Sequence, residues 1–377
     1  MKQKIQGGIV VVWFLLLIVS GCGGGSKNGS GNTTPTPTPV VYTAGYYYNS
    51  DLKQYVPCYW KGTTLFDLFP MSTAGAQARS IFVSDSAVYI GGYHESPGFV
   101  GCYWPGTTTA TDATDFSENN GYVYSIYVSD GKVYTAGRSG QPGLPCYWVD
   151  DVRSNAFELP TGATLGEALS IYVEGSTVYS GGWTGTSGTA TKPCYWAGTT
   201  LIPLQLPVNV PVDNAYGKVN SIYISNNTVY TAGYIYIKGA SSWETLPCYW
   251  VNQSGPNSLQ INGSTYGEAT GIQVVNGKTY IAGWYGSVAN PCFWTFPTEN
   301  GELPVILSVP TGSNSSKTTS IYVAGSTIYL AGWYQMNKNG DIQEFPCYWN
   351  GNTGVLTPLP TVPTVTSHAS ANAIFVK

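Results

Sequence analysis

SIYVSDGKVYTAG, Ser125–Gly137, is the stretch that decides how this chain is read. Two runs rich in β-branched and aromatic residues flank Asp130-Gly131. An Asp-Gly pair in that setting predicts a hairpin, because a type I′ turn needs positive φ at both central residues. The phrase recurs as SIFVSDSAVYIGG from Ser80, SIYVEGSTVYSGG from Ser170 and SIYISNNTVYTAG from Ser221. It returns as GIQVVNGKTYIAG from Gly271 and SIYVAGSTIYLAG from Ser320.

A second phrase, PCYW or a close variant, marks the same unit at Cys58, Cys102, Cys146, Cys194, Cys248, Cys292 and Cys347. Its intervals are 44, 44, 48, 54, 44 and 55 residues. After each PCYW come a short turn and one more apolar strand, as at Thr64–Phe69 and Thr200–Leu206. Four short strands in about 40–50 residues make one blade of a β-propeller, whereas a parallel β-helix needs a far shorter period.

The ends of the repeat array indicate how the ring closes. Asn372–Lys377 matches the first strand of the unit and stops where its turn should be, and Val41–Gly45 matches the second. Pairing these two segments completes a seventh blade and removes an open sheet edge. The expected fold is therefore all-β, a seven-bladed β-propeller of four-stranded antiparallel blades over residues 40–377, closed by pairing the C-terminal strand with the N-terminal ones.

Residues 1–21 read as an export signal: Lys2 and Lys4 precede the apolar run Gly7–Ser20. Val19-Ser20-Gly21-Cys22 resembles a bacterial lipobox, which implies cleavage before Cys22 and lipidation of that residue. Gly23 after the cysteine, instead of an aspartate, implies by the same resemblance the outer rather than the inner membrane of a Gram-negative cell. Residues 22–39, Gly/Ser-rich and then Thr-Pro-rich, form a tether with nothing to anchor a core. The expected location is an exported, membrane-anchored lipoprotein, with the membrane as a partner through Cys22. Only 10% of residues are charged, the net charge is −4 and Lys/Arg do not cluster, which excludes nucleic acid as a partner.

The Gly91-Gly92 and Gly181-Gly182 pairs and the recurrent Tyr and Trp resemble kelch-type propellers in part, while the spacing and PCYW depart from that family. Residues 41–377 are more similar to tandem VYVAGY…YW repeats of secreted bacterial lipoproteins. That resemblance implies a propeller and no particular activity.

The seven repeat cysteines sit on the third strand from the axis, where equivalent positions on adjacent blades are about 14 Å apart. Disulfides and metal sites need far closer sulfurs, so these cysteines are expected to be buried packing residues, with no cofactor and no metal implied. Asn337–Asp341 with Glu344 offers some calcium-type oxygens without the twelve-residue pattern.

Loop lengths point to the binding face. The first-strand Ile lies 11 residues before the second-strand Gly in all six uninterrupted copies, whereas 9 to 15 residues separate that Gly from the PCYW cysteine. The variable loop opens on the face of the blade-to-blade connections, and binding residues concentrate on such loops. Tyr234–Leu246, with Trp243, and Trp333–Phe345 are the largest. On that face, four residues before each first-strand Ile, stands a ring expected at the channel mouth: Gln77, Tyr122, Glu167, Lys218, Glu268, Lys317 and Ser370. Just after the second-strand Gly comes a collar that includes Trp183, Trp284 and Trp333, suited to sugar rings or to rim packing. Neither His94 nor His368 adjoins a nucleophile motif. No catalytic residue is assigned, and the expected role is a non-catalytic module binding a protein or glycan ligand. The alternative is a propeller enzyme acting on glycans through acidic channel-mouth residues such as Glu167 and Glu268.

Overall fold

The computed structural model describes residues 38–377 except 69–74, 96–97, 106–113, 155, 188–190, 212–213, 240–241, 298–302, 339 and 363–364. The export signal, Cys22 and the tether as far as residue 37 lie outside the described residues.

Residues 39–377 form seven four-stranded antiparallel sheets. Blade 1 joins both ends of the chain, in the order Val365–Val376, Val41–Asn49, Gln54–Lys61, Thr64–Asp67. Blades 2 to 7 keep chain order from the inside outward. Their inner strands are Ala76–Ser84, Tyr122–Ser129, Leu165–Glu174, Ala215–Ser225, Gly267–Val275 and Ser313–Ala324. Each inner strand touches the next, and the last touches Val365–Val376, which in turn touches Ala76–Ser84, so the ring is closed. The closing register pairs Val41 with Val376 and Thr43 with Ile374. Val40 and Lys377 add reciprocal backbone hydrogen bonds of 2.7 and 3.0 Å.

The hairpins that define the repeat use two turn geometries. Asp130-Gly131, Asn226-Asn227 and Asn276-Gly277 have positive φ at both central residues, as a type I′ turn requires. Where the second residue is Ser, after Asp85, Gly175 and Gly325, only the first has positive φ, the II′ pattern.

Third strands are buried on both faces, as Pro193–Trp196 shows, because each face meets a neighbouring blade. All seven repeat cysteines are buried thiols. Burial pushes Cys58, Cys194, Cys248, Cys292 and Cys347 well above the ordinary thiol range, which makes them unreactive. The PCYW tryptophans are the largest fully buried side chains. Their indole N–H groups donate across blade boundaries: Trp60 to the Pro360 carbonyl at 2.7 Å, Trp196 to Glu158, Trp250 to Gln205 and Trp294 to Gln260 at 2.9 Å, Trp349 to Ser308 at 2.8 Å. Each indole therefore fills the core and pins the connection arriving from the previous blade.

One irregularity repeats in all seven blades. The inner strand carries a β-bulge, and the bulged residues are Arg79, Tyr124, Leu169, Asn220, Thr270, Thr319 and Asn372. A bulge leaves one residue unpaired and kinks the strand. The second-strand glycine faces that kink. A Cβ on Gly182 would stand 1.9 Å from the Glu167 carbonyl oxygen, and at the other six equivalents the same clash is 1.7 to 2.2 Å. This is why the repeat needs glycine there: the bulge presses a carbonyl onto it.

Candidate functional site

The inner strands build the channel in layers. At the elaborated face lies the ring predicted from the sequence, and the structure pairs each member directly with a collar residue on the second strand. Glu167 stands opposite Trp183, Lys218 opposite Tyr234, Glu268 opposite Trp284 and Lys317 opposite Trp333. Gln77, Tyr122 and Ser370 face Tyr93, Arg138 and Tyr46. Ring and collar are thus one rim of cross-strand pairs, whose side chains interlock between blades.

Glu167 is the most heavily bonded of them. Its carboxylate accepts from Tyr124 Oη at 3.1 Å and from Trp183 Nε1 at 3.1 Å, and it pairs with Arg138 Nη1 at 3.2 Å. Lys218 Nζ lies 4.7 Å from the Trp183 ring centroid and Lys317 Nζ 3.8 Å from that of Trp284. Each lysine thereby covers the tryptophan of the preceding blade, a cation–π arrangement. Burial holds the Glu268 carboxyl above its ordinary range, opposed by Lys317, Lys218 and a hydrogen bond with Trp284. Burial also lowers Lys317, opposed by Glu268 and Glu344. Tyr234 is pushed up to about 12 by burial and then by the charges of Glu268 and Glu167.

Beneath the rim is a cavity of about 370 Å³. Its wall is formed by the seven bulged residues, one from each blade, together with Glu268. Of the residues singled out from the sequence, only Glu268 lines it; Gln77, Tyr122, Glu167, Lys218 and Lys317 belong to the rim above. The bulge accounts for the difference, since it interrupts the alternation of the strand and turns the residue two before the Ile toward the axis. Three wall residues also tie adjacent inner strands together. Asn220 donates to the Ala269 carbonyl at 2.9 Å, Thr319 to Ala371 at 2.7 Å and Asn372 to Ala78 at 2.8 Å. Arg79 Nε and Thr270 Oγ1 are buried and have no hydrogen-bond partner.

Below the wall, serine hydroxyls link the blades again: Ser80 Oγ accepts from Ile126 N at 3.1 Å, and Ser125, Ser170 and Ser221 repeat the bond at 3.1 to 3.2 Å. Blade 6 has Gly271 in place of the serine, and Gln273 Oε1 accepts from Val323 N at 2.6 Å instead. At the trimmed face the residue after the Ile is aromatic in six blades. Tyr322, Phe375, Phe82, Tyr127, Tyr172 and Tyr223 follow one another with ring centroids 4.7 to 5.0 Å apart. These six rings form a continuous aromatic arc at that end.

The remaining sequence-derived residues lie elsewhere. Trp243 is on the long hairpin of blade 5, its ring 4.7 Å from Tyr236 and 5.3 Å from Tyr216, remote from the cavity wall. Glu344 pairs with His368 Nδ1 at 3.1 Å, and Asn337 Oδ1 accepts from Gly340 N at 2.9 Å to close its own hairpin. Asn339 of that loop lies outside the described residues.

No protein-family model and no curated protein matches the chain in sequence. Among solved structures it is similar to an acylaminoacyl peptidase from Pyrococcus horikoshii, with 11% identity, TM-score 0.48, and 86% of this chain against 51% of that one. The chain thus spans about half the length of the peptidase. It is similar also to the β-propeller domain of the Trilobed protease from Pyrococcus furiosus, with 9% identity, TM-score 0.48, and 88% and 95% of the two chains. The native Bacillus subtilis arabinanase Arb43A follows at 10% identity, TM-score 0.32, and 74% and 98%. These likenesses concern architecture alone; the seven closed four-stranded sheets make the chain a seven-bladed β-propeller.

Proposed function

We propose that this chain is a lipid-anchored, non-catalytic binding module of the bacterial cell envelope, whose ligand enters the channel from the elaborated face. The observation that carries the reading is the cavity wall: the scaffold repeats, yet the bulged positions present Arg, Tyr, Leu, Asn, Thr, Thr and Asn to one open cavity. A concave site with a few convergent polar groups on rigid strands is the usual form of a small-ligand site. The test fills the cavity with Leu169→Trp. Wild-type protein is expected to retain a ligand from a glycan array or from envelope extract that the variant does not. Identical retention by both would remove the channel from the function. Anchoring is tested separately: Cys22→Ser is expected to move the protein from the membrane fraction to the soluble one.

A glycan-hydrolase reading rests on one observation, the raised carboxyl of Glu268 in the cavity wall, suited to a general acid. The second carboxylate it would use, Glu167, stands two blades away and is occupied by Tyr124, Trp183 and Arg138. Turnover of a glycan lost in Glu268→Gln would favour the enzyme; binding without turnover favours the module.

A further inference from the structure

Resting on the channel reading, the geometry points to a small sugar acid as the ligand, its carboxylate held by Arg79 and its hydroxyls turned toward Thr270 and Glu268. Arg79 is the cationic member of the cavity wall, and its Nε is buried without a hydrogen-bond partner. Among the described residues no carboxylate lies within ion-pair distance of it, and its guanidinium carbon stands 5.5 Å from the centroid of the Tyr93 ring. A guanidinium is charged at every physiological pH and presents its donors as a planar fork that matches a carboxylate. Set into a wall with an unfilled donor, it calls for an anionic acceptor.

The opposite side of the wall sets the other end of the ligand. Thr270 and Glu268 belong to blade 6, across the ring from the Arg79 blade, and Thr270 Oγ1 is the second buried polar atom without a partner. Glu268 would repel an anion placed against it but accepts hydrogen bonds from hydroxyls. The cavity is therefore polarised, an anion site at one end and an acceptor at the other. Asn220, Thr319 and Asn372 are held in position by their bonds to neighbouring strands, so the rest of the wall is preorganised for polar groups. A volume of about 370 Å³ suits one such ring rather than a polymer.

The test is calorimetric titration of the full chain with D-galacturonate, D-glucuronate and D-mannuronate, against their neutral parent sugars and their methyl esters. At least one acid is expected to bind at least ten-fold more tightly than its parent and its ester, which needs no variant. Arg79→Gln should weaken that acid at least ten-fold with the unfolding temperature retained, and Leu169→Trp should abolish its binding. The proposal is overturned if none of the three acids binds, if the esters bind as well, or if Arg79→Gln leaves affinity unchanged. Neutral sugars that bind equally and are lost in Leu169→Trp would leave the channel reading standing while removing the acid. Binding of acids that Leu169→Trp does not disturb would remove both.

Discussion

The two ends of the channel are made by the same seven strands, yet they obey different rules. At the trimmed face six of the seven positions after the Ile are Phe or Tyr, and each ring packs on its neighbours at 4.7 to 5.0 Å. At the elaborated face the bulged positions hold five different residue types around an open cavity. Between them lies the bulge, with its facing glycine and its serine links. An aromatic ring at one blade constrains both adjacent blades, so substitution there is felt around the circle. The bulged side chains border the cavity, and the bonds that some of them make (Asn220, Thr319 and Asn372 to the next strand, Tyr124 to Glu167) differ from blade to blade. The contrast separates what the ring needs for closure from what is available for recognition.

The largest break in that contrast should come at the bulge. Gly182→Val sets a branched side chain where a Cβ alone would lie 1.9 Å from the Glu167 carbonyl oxygen, a backbone atom that cannot swing aside. A loss of about 4 kcal/mol or more is expected in urea unfolding, in the range kept for strain and overpacking. A smaller loss would mean that the bulge itself can be given up. Next in size is the aromatic arc. Tyr172 packs its ring tilted against Tyr127 at 5.0 Å and against Tyr223 at 4.9 Å. Tyr172→Ala should cost about 2 kcal/mol, below the 3–5 of a fully buried aromatic because the ring is half-buried.

The bulge is also where reading from the sequence stops short. Hairpin spacing, the PCYW period and the matching of Asn372–Lys377 to Val41–Gly45 carry enough local information to count the blades and to place the closure, which the Val41–Val376 pair shows. Burial of the cysteines follows from the same geometry. The channel wall does not follow, because no residue pattern in the repeat marks which position of the inner strand bulges out of the ladder. The bulge leaves Arg79 and Asn220 unpaired, and they line the cavity, whereas Gln77 and Lys218 stay paired with Tyr93 and Tyr234 in the rim. A trace was present: the glycine eleven residues after each Ile has no turn to make, and a glycine inside a strand signals a bulge or a close backbone approach. The turn at Gly175-Ser176 illustrates a second limit, since a Ser in the second position shifts the hairpin to the II′ pattern without altering strand register.

At the tolerant end the expected effect is small. Leu169→Asn places at blade 4 the residue already present at Asn220 and Asn372. Stability should change by about 0.5 kcal/mol or less, as at positions outside packing or bonding networks. A loss comparable to that of Tyr172→Ala would show that the cavity is a packed layer and would dissolve the distinction between the two ends.

The finest test uses pH to ask whether the rim charge of Glu268 is borne for recognition or for folding. Burial lifts its folded-state pKa above the ordinary carboxylate range. The folded chain therefore holds that proton to higher pH than the unfolded chain does. By linkage the contribution of Glu268 to stability is fully present below the unfolded-state pKa and is lost as pH rises through the folded value. Glu268→Gln, which keeps the shape without the charge, removes this term. The difference in unfolding free energy, variant minus wild type, should then rise as pH climbs from the ordinary carboxylate range through the folded value and level off above it. Other carboxylates cancel in that difference. Lys317, whose pKa burial lowers, offsets part of the cost of the Glu268 charge and is itself left uncompensated once that charge is gone, so Lys317→Met should enlarge the benefit of Glu268→Gln when the two are combined. A difference that falls over this pH range would mean that Lys218, Lys317 and Trp284 outweigh burial, and that the rim carboxylate stabilises the fold instead of being held against its cost.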